Sequence, residues 1–434
     1  MMQITIAIIE FPGTNCERES AEAVRRCGML PLFFRWNEDT ARLRQCDGYL
    51  IPGGFSYEDR SRSGILAALD PVLDILKQES AKGKPILGIC NGAQILVESG
   101  LVPGLAGYRL GCALAENRRV DDNQVVSTGF HNVWIDAIHT PGDQNLPTAF
   151  TARLRDGQSI HIPAAHAEGR FVIPPKVLEQ MEKRGMTVFR YAKNPNGSVA
   201  DLAGICNRHG NVLALMPHPE RSVEGDPIFN SMRGYIEQHQ AKGWSEGFLP
   251  DLRIDADGEE ETDRMDTPRF KTADGDRSRE LIIGTLITDN SAVSVEQALR
   301  NKGIAVAVRR YIHWELTVAP SVSKKESDSI EETACASGAL FNANKEFRTV
   351  LDTLPQARTF LVRSLEGEDF HGSHAFKVLK DWFGIQQFTS VAHGVLWTLI
   401  PDTTDPQEAI KTIEAAEKIH IMANPFSQRR FLYD

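Results

Sequence analysis

Short apolar runs alternate with amphipathic stretches along the first half of the chain, the rhythm of buried strands with helices laid across them. Gln3–Ile9 predicts a strand and Glu17–Cys27 a helix closed by Gly28. Leu30–Phe34 and Gly48–Ile51 predict two further strands, with a short helix near Thr40–Gln45 between them. A helix through Ile65–Gln78 leads to the strand Ile86–Ile89, and Ala93–Gly100 reads as a helix with a glycine stop. Residues 105–215 carry more turns and shorter runs, which predicts an antiparallel extension. Val212–Leu215 is a last apolar strand, and a helix over roughly Pro227–Gln240 closes the domain. The expected fold class is α/β: a mostly parallel sheet with helices on both faces and functional loops at the strand C-ends.

The pattern fails between 242 and 279. From Asp255 to Asp266 seven acidic residues stand against the single Arg264. Such a run repels itself and buries little, so an extended linker is expected there, with an acidic docking segment as the alternative. Beyond it the chain repeats at a spacing of about 80 residues. Glu280–Thr288 and Thr359–Leu365 open the copies as strands. Val295–Lys302 and His374–Trp382 follow as helices, each ahead of Gly-Ile. Val306–Val318 and Phe388–Ile400 are long β-rich stretches that a tight turn would split into hairpins, and helices Ser329–Phe341 and Gln407–Ile419 come last. Each copy is expected to be a small β-α-β-β-α two-layer unit. The domains expected are thus 1–241, a linker 242–279, and repeats 280–354 and 355–434.

Composition adds boundaries. The 434 residues are 41% apolar and 24% charged, with no run long enough to span a membrane. The start of the chain has no basic segment, so no signal peptide is expected. A net charge of −10 gives no reason to expect nucleic acid. Seven cysteines without a C-x-x-C pair indicate neither zinc nor a disulfide framework, and fit a reducing cytoplasm. No phosphate-cradling G-x-x-x-x-G-K-[ST] loop is present.

The chemistry gathers at Gly88-Ile89-Cys90-Asn91-Gly92, where a strand passes sharply into a helix. Small neighbours permit such a turn, and a thiol at a helix N-terminus is favoured as a thiolate. A buried cysteine at an ordinary strand end is the plainer alternative. A nucleophile needs a base and an orienter for that base. His218, between Pro217 and Pro219 after the last sheet strand, is the candidate base. Residues before proline are pushed to extended angles, so Glu220, two residues on, should share its side. Pro-His-Pro-Glu as a rigid surface turn is the alternative. Backbone N–H groups of Asn91 and of the Gly53-Gly54 turn could meet an oxyanion.

Pro52-Gly53-Gly54-Phe55-Ser56-Tyr57, Gly88 to Gln94 and Met216 to Arg221, in that order, resemble the class I glutamine amidotransferases. Phe11 to Cys16, His166-Ala167-Glu168-Gly169-Arg170 and Asn194 to Ser198 resemble, more narrowly, the glutaminase component of phosphoribosylformylglycinamidine synthase. The resemblance covers residues 3 to about 240. It departs from the family at Glu58-Asp59-Arg60, where Gly-Asp is usual, and at Ala167, often a glycine. The resemblance implies that Cys90 attacks the side-chain amide of L-glutamine, with His218 as base and acid and Glu220 as its orienter. It implies substrate and oxyanion contacts at Gly53, Gly54, Asn91 and Gln94, and no metal. Ile421-Met422-Ala423-Asn424-Pro425 and Arg310 to Leu316 resemble the small accessory subunit of the same synthase, without its usual Asp-Pro-Gln-Gly.

These resemblances imply a cytoplasmic glutaminase that needs no cofactor of its own and supplies ammonia to a separate large ligase, the component that uses ATP and Mg. Two rivals stand beside that reading: a cysteine peptidase or hydrolase of the same fold, and a non-catalytic scaffold of the synthase.

Overall fold

The computed structural model describes residues 3–121, 124–141, 148–240, 267–352 and 354–433. It divides into two compact units, Met1–Glu259 and Glu260–Asp434. Among the described residues no helix is long and apolar enough to cross a membrane.

The first unit carries strands β1 (Thr5–Glu10), β2 (Leu30–Arg35), β3 (Gly48–Ile51), β4 (Ile86–Ile89), β5 (Ala113–Ala115), β6 (Arg118–Asp121) and β7 (Gln124–Thr128). They are followed by β8 (His131–His139), β9 (Ser159–His166), β10 (Arg170–Val172), β11 (Phe189–Tyr191), β12 (Leu202–Cys206) and β13 (Val212–Leu215). Its helices are α1 (Glu17–Arg26), α2 (Ile65–Ala68), α3 (Pro71–Ala81), α4 (Asn91–Glu98), α5 (Pro175–Lys183) and α6 (Asp226–Gln240). Nine strands form one sheet in the order β2-β1-β3-β4-β13-β12-β11-β8-β9. Neighbours from β2 to β13 are parallel, and those from β13 to β9 are antiparallel. The two halves follow from their sequences. Every residue of β3 and β4 is buried, as in a parallel strand covered on both faces. In β8 the first four residues are not buried, and burial then alternates along the strand, as expected with one face in water.

The helix expected through Ile65–Gln78 is two helices. Asp70 lies in extended backbone and its carboxylate accepts the Val72 N–H at 2.9 Å, while Pro71 starts α3. An N-cap followed by proline begins a helix and cannot continue one.

The second unit is a single six-stranded antiparallel sheet. Its strands are β14 (Ser278–Thr285), β15 (Val306–Val318), β16 (Glu346–Thr349), β17 (Arg358–Ser364), β18 (Phe388–Pro401) and β19 (Gln428–Tyr433). The helices are α7 (Asn290–Asn301), α8 (Lys324–Ala336), α9 (Phe370–Asp381) and α10 (Pro406–Lys418). Side chains of Asp289, Ser323, Asp369 and Asp405 cap them in turn, so the same device recurs at matching places in the two copies.

The hairpins expected in the long β-rich stretches are absent. β15 and β18 run unbroken and pair with each other from Val306↔Pro401 to Val318↔Phe388. β15 holds no glycine, proline, asparagine or aspartate to turn on, and its length is used by lying against both β14 and β18. Each copy then gains a closing strand, β16 or β19, in place of the second hairpin arm. The order β16-β14-β15-β18-β17-β19 places the copies back to back about the β15–β18 pair. Ile330 and Ala334 of α8 share one core cluster with Ala375 and Leu379 of α9, so a core is built from both copies. The copies therefore pair within one chain.

Residues 242–266 of the expected linker lie outside the described residues. Its last part is bonded to the sheet: Phe270 N–H donates to the Leu432 carbonyl, and Leu432 N–H to that of Pro268. The Phe270 ring lies 4.8 Å from the Arg363 guanidinium, which bonds Glu315 at 2.9 Å and lies 3.2 Å from Nδ1 of His313.

Candidate active site

The loops that leave β1, β3, β4 and β13, four adjacent strands, meet at their C-terminal ends, the usual ligand position in an open α/β sheet. Together with residues after β9 they line a cleft of about 330 Å³, large enough for a small polar substrate. Cys16, Gly54, Phe55, Cys90, Gln94 and His218 are among its walls.

Cys90 sits at φ 52°, ψ −107°, between β4 and α4. A non-glycine residue at such angles is strained, and the strain turns the side chain out of the sheet at the helix N-terminus. The flanking glycines explain how the turn is tolerated. A Cβ on Gly88 would come within 2.5 Å of the Gly92 carbonyl oxygen, and one on Gly92 within 1.9 Å of the Ile51 carbonyl oxygen. Both obstacles are backbone and cannot rotate away. Gly92→Ala is accordingly expected to lower the unfolding free energy by about 3 kcal/mol, read as a fall in the denaturation midpoint. Gly234→Ala, inside α6 with nothing within 4 Å of the new Cβ, should leave it unchanged or raise it slightly.

His218 and Glu220 are buried, at 2% and 1% exposure. His218 Nδ1 lies 2.6 Å from Glu220 Oε1, which leaves Nε2 for a thiol. The reason for their closeness differs from the extended dipeptide expected. Pro219–Arg221 is a single 3₁₀ turn with His218 as its cap, and the turn carries Glu220 back beneath the ring. Burial alone would depress the His218 pKa. The Glu220 carboxylate, the Cys90 thiol and the Cys16 thiol overcome this and hold it well above the usual histidine value. Cys90 Sγ also lies 3.6 Å from the Ala165 carbonyl.

The other sequence-predicted residues are drawn to the same place. Gly54, at φ +150°, brings bare backbone against Gly13 and Thr14, where a Cβ would meet atoms at 2.6 and 2.8 Å. A Cβ on Gly53 would press on His218 Cε1 at 2.9 Å and on Cys16 Sγ at 3.1 Å. The Asn91 side chain accepts from Ser56 N–H at 3.0 Å and donates to Gln94 Oε1 at 2.9 Å, tying the loop after β3 to α4. Gln94 Nε2 donates to the Glu168 carbonyl at 2.6 Å. Gln94 thus lines the cleft, and the Asn91 side chain holds it in place.

Cys16, Asp59, Ser63, His166, Glu168 and Arg221 also line the cleft, and no role was read for them from the sequence. Cys16, His166, Glu168 and Arg221 lie in segments that carried the family resemblance. Asp59 lies in the segment that departs from it: Tyr57, Glu58 and Asp59 all have positive φ, of 53°, 57° and 52°. Glu58 thus occupies, as a strained left-handed residue, the place where the family commonly has glycine. Ligand atoms of Cys16, His218 and Glu220 fall within 4.8 Å of one another; the His218–Glu220 bond already engages two of the three.

The sequence profile of the CobB/CobQ-like glutamine amidotransferase domain matches residues 3–248. The phosphoribosylformylglycinamidine synthase subunit PurQ of Methanothrix thermoacetophila is 43% identical over 264 residues, which is 54% of this chain and 99% of that one. The subunit of the same name from Corynebacterium glutamicum is 42% identical over 223 residues, 51% of this chain and 90% of the relative. Among solved structures, a chain of PurLQS from Thermotoga maritima is 33% identical with a TM-score of 0.46, covering 54% of this chain and all (100%) of that one. The family profile alone spans more than half of the sequence, including every loop that builds the cleft, and the two PurQ subunits match the same half: the chain belongs to the CobB/CobQ-like glutamine amidotransferase family, and its first unit is of the PurQ type.

Proposed function

We propose that this chain is the glutaminase component of phosphoribosylformylglycinamidine synthase. It hydrolyses L-glutamine to glutamate and ammonia for a separate ATP-dependent ligase that amidates formylglycinamide ribonucleotide in purine biosynthesis. The observation that carries the reading is the His218–Glu220 pair at 2.6 Å beside a thiol on a strained strand–helix turn, in a chain of this family. In the first step the Cys90 proton passes to His218 Nε2 and Sγ bonds to the carboxamide carbon of glutamine. The oxyanion is met by backbone N–H groups of Gly54 and Asn91. His218 returns its proton to the nitrogen, the C–N bond breaks, and ammonia leaves a thioester on Cys90. Water, deprotonated by His218, then attacks the thioester carbon, and glutamate departs as the thiol regains its proton. Glu220 holds the imidazole tautomer and offsets its charge throughout.

No step calls for a metal or cofactor in this chain; ATP and Mg belong to the ligase, and a cytoplasmic location goes with the pathway. The second unit is read as two copies of the synthase's small accessory subunit. Their pairing through β15 and β18 supports an arrangement in which one chain supplies the dimer that bridges glutaminase and ligase. Glutamine turnover by the isolated chain is expected to be slow and to rise roughly tenfold or more when the ligase is added with its nucleotide ligands. Full-rate turnover indifferent to the ligase would contradict ammonia transfer between the two.

A further inference from the structure

The buried end of the cleft holds a second thiol that makes and breaks no bond in the glutaminase cycle. Cys16, 2% exposed, opens helix α1, and its N–H donates to the Gly53 carbonyl at 3.2 Å. Its Sγ and ligand atoms of His218 and Glu220 all lie within 4.8 Å of one another, and all three residues are buried. Bare Gly53 keeps the space beside them open: a Cβ there would stand 3.1 Å from Cys16 Sγ and 2.9 Å from His218 Cε1. A separate observation calls for a ligand. Glu220 Oε2 and His218 Nε2 are buried and have no hydrogen-bond partner among the described residues. A buried carboxylate oxygen left unpaired is costly, and a cation relieves that cost.

The donor set decides which cation. Thiolate, imidazole and carboxylate are ligands of zinc and its soft neighbours, whereas magnesium takes oxygen donors and keeps its waters. Zinc bonds of roughly 2.0–2.3 Å are reached from this spacing by rotation of the Cys16 and Glu220 side chains. Binding exchanges protons for the metal. The Cys16 thiol gives its proton to solvent, and the proton between His218 Nδ1 and Glu220 Oε1, 2.6 Å apart, is displaced. Arg221 opposes the ion, with Nη2 3.1 Å from Cys16 Sγ. Its side chain is 33% exposed and Glu19 stands 3.8 Å from its Nε, so it has an outer partner to turn to. Cys16, His218 and Arg221 all line the cleft, which gives the ion a way in.

We infer that Cys16, His218 and Glu220 form an inhibitory site for zinc or a like soft divalent cation. This rests on the glutaminase reading above and adds a regulation to it. A metal bound there takes the carboxylate that orients the ring and the nitrogen that faces it. His218 then no longer accepts the Cys90 proton, and glutamine cleavage stops until the ion is withdrawn.

Glutamate release from glutamine is measured on the full chain, first freed of metal by a chelator and then titrated with Zn2+ in a metal buffer. Half-inhibition is expected at about 1 µM free Zn2+, reversed by chelator, with no effect of Mg2+ at about 1 mM. Cys16→Ser, compared with its own metal-free rate, should need at least about tenfold more Zn2+. Cys90→Ser, loaded with Co2+, should show a thiolate-to-metal absorption at one ion per chain that Cys16→Ser lacks. A wild-type chain indifferent to Zn2+ would overturn the inference. So would a Cys16→Ser chain inhibited at the wild-type concentration, which would put the ion on Cys90. Should Cys16→Ser fail to fold, the Cys90→Ser spectrum decides alone, and absence of the thiolate absorption refutes the site. A metal-free chain that releases no glutamate, yet binds Co2+ through Cys16, would sink the glutaminase reading while upholding the ligand set.

Discussion

Cys90→Ser abolishes glutamine-dependent synthesis by the chain together with its ligase, while synthesis from added ammonium salt continues. That is the largest effect expected of a single substitution here. Serine is close to isosteric with cysteine and tolerates the same φ of 52° no worse, so the turn and α4 should survive. What is lost is the thiol nucleophile. An alcohol is far harder to deprotonate than a thiol, and His218 is tuned here to a thiol partner. The loss of glutaminase kcat should reach at least about 10⁴-fold, measured as glutamate released. Ammonium-dependent product formation should stay within about twofold of wild type, because only the source of ammonia has been removed. Loss of both activities would instead mean that Cys90 maintains the fold or the docking of the complex.

The second large effect is expected from Glu220→Gln. The Glu220 carboxylate is 1% exposed, and its Oε2 finds no hydrogen-bond partner among the described residues. The imidazole is thus its principal partner. Glutamine preserves the shape but offers a neutral amide that can present the wrong group to Nδ1 and favour the wrong tautomer. A fall in kcat of about 10³–10⁴-fold is expected. The pH profile should move as well, and its sign follows from the environment. Burial lowers the His218 pKa and the carboxylate is the leading influence raising it. Removing that charge leaves burial dominant, so the imidazolium is lost at lower pH and the alkaline limb of kcat/KM shifts toward acid. The same linkage applies to stability. A histidine with a raised folded-state pKa contributes stability that is fully present below its unfolded value and is lost as pH rises through the folded one. Glu220→Gln should therefore reduce stability most in the acid range. An unshifted alkaline limb would mean that Glu220 does not set the charge on His218.

Much of this was legible in the amino-acid order. The apolar runs at Gly48–Ile51, Ile86–Ile89 and Val212–Leu215 are strands at those bounds. Gly88-Ile89-Cys90-Asn91-Gly92 is the strained turn that its glycine spacing predicts. His218 and Glu220 are adjacent, although a 3₁₀ turn rather than extended backbone brings them together. Other features were not legible. The sequence marks Glu58-Asp59-Arg60 only as a departure from the family at the rim of the pocket; the turn of Asp59 into the cleft was not legible, because it depends on left-handed angles at three non-glycine positions. In the second unit a β-rich run of thirteen residues, Val306–Val318, is long enough for a hairpin by local criteria. Only pairing on both of its edges keeps it straight.

The core strands of the first unit and the nucleophile turn were determined by the sequence alone, since each depends on periodicity or on residues a few places apart. The tertiary structure decided how distant segments share space. It brought Asp59, His166 and Glu168 to the cleft that holds Cys90 and His218, and it joined the two copies along β15 and β18 within one chain. The physical reason is the same in both cases. Burial of one segment by another, and the electrostatic cost it imposes on buried acids and histidines, depends on contacts between residues far apart in the chain, and no local pattern records them.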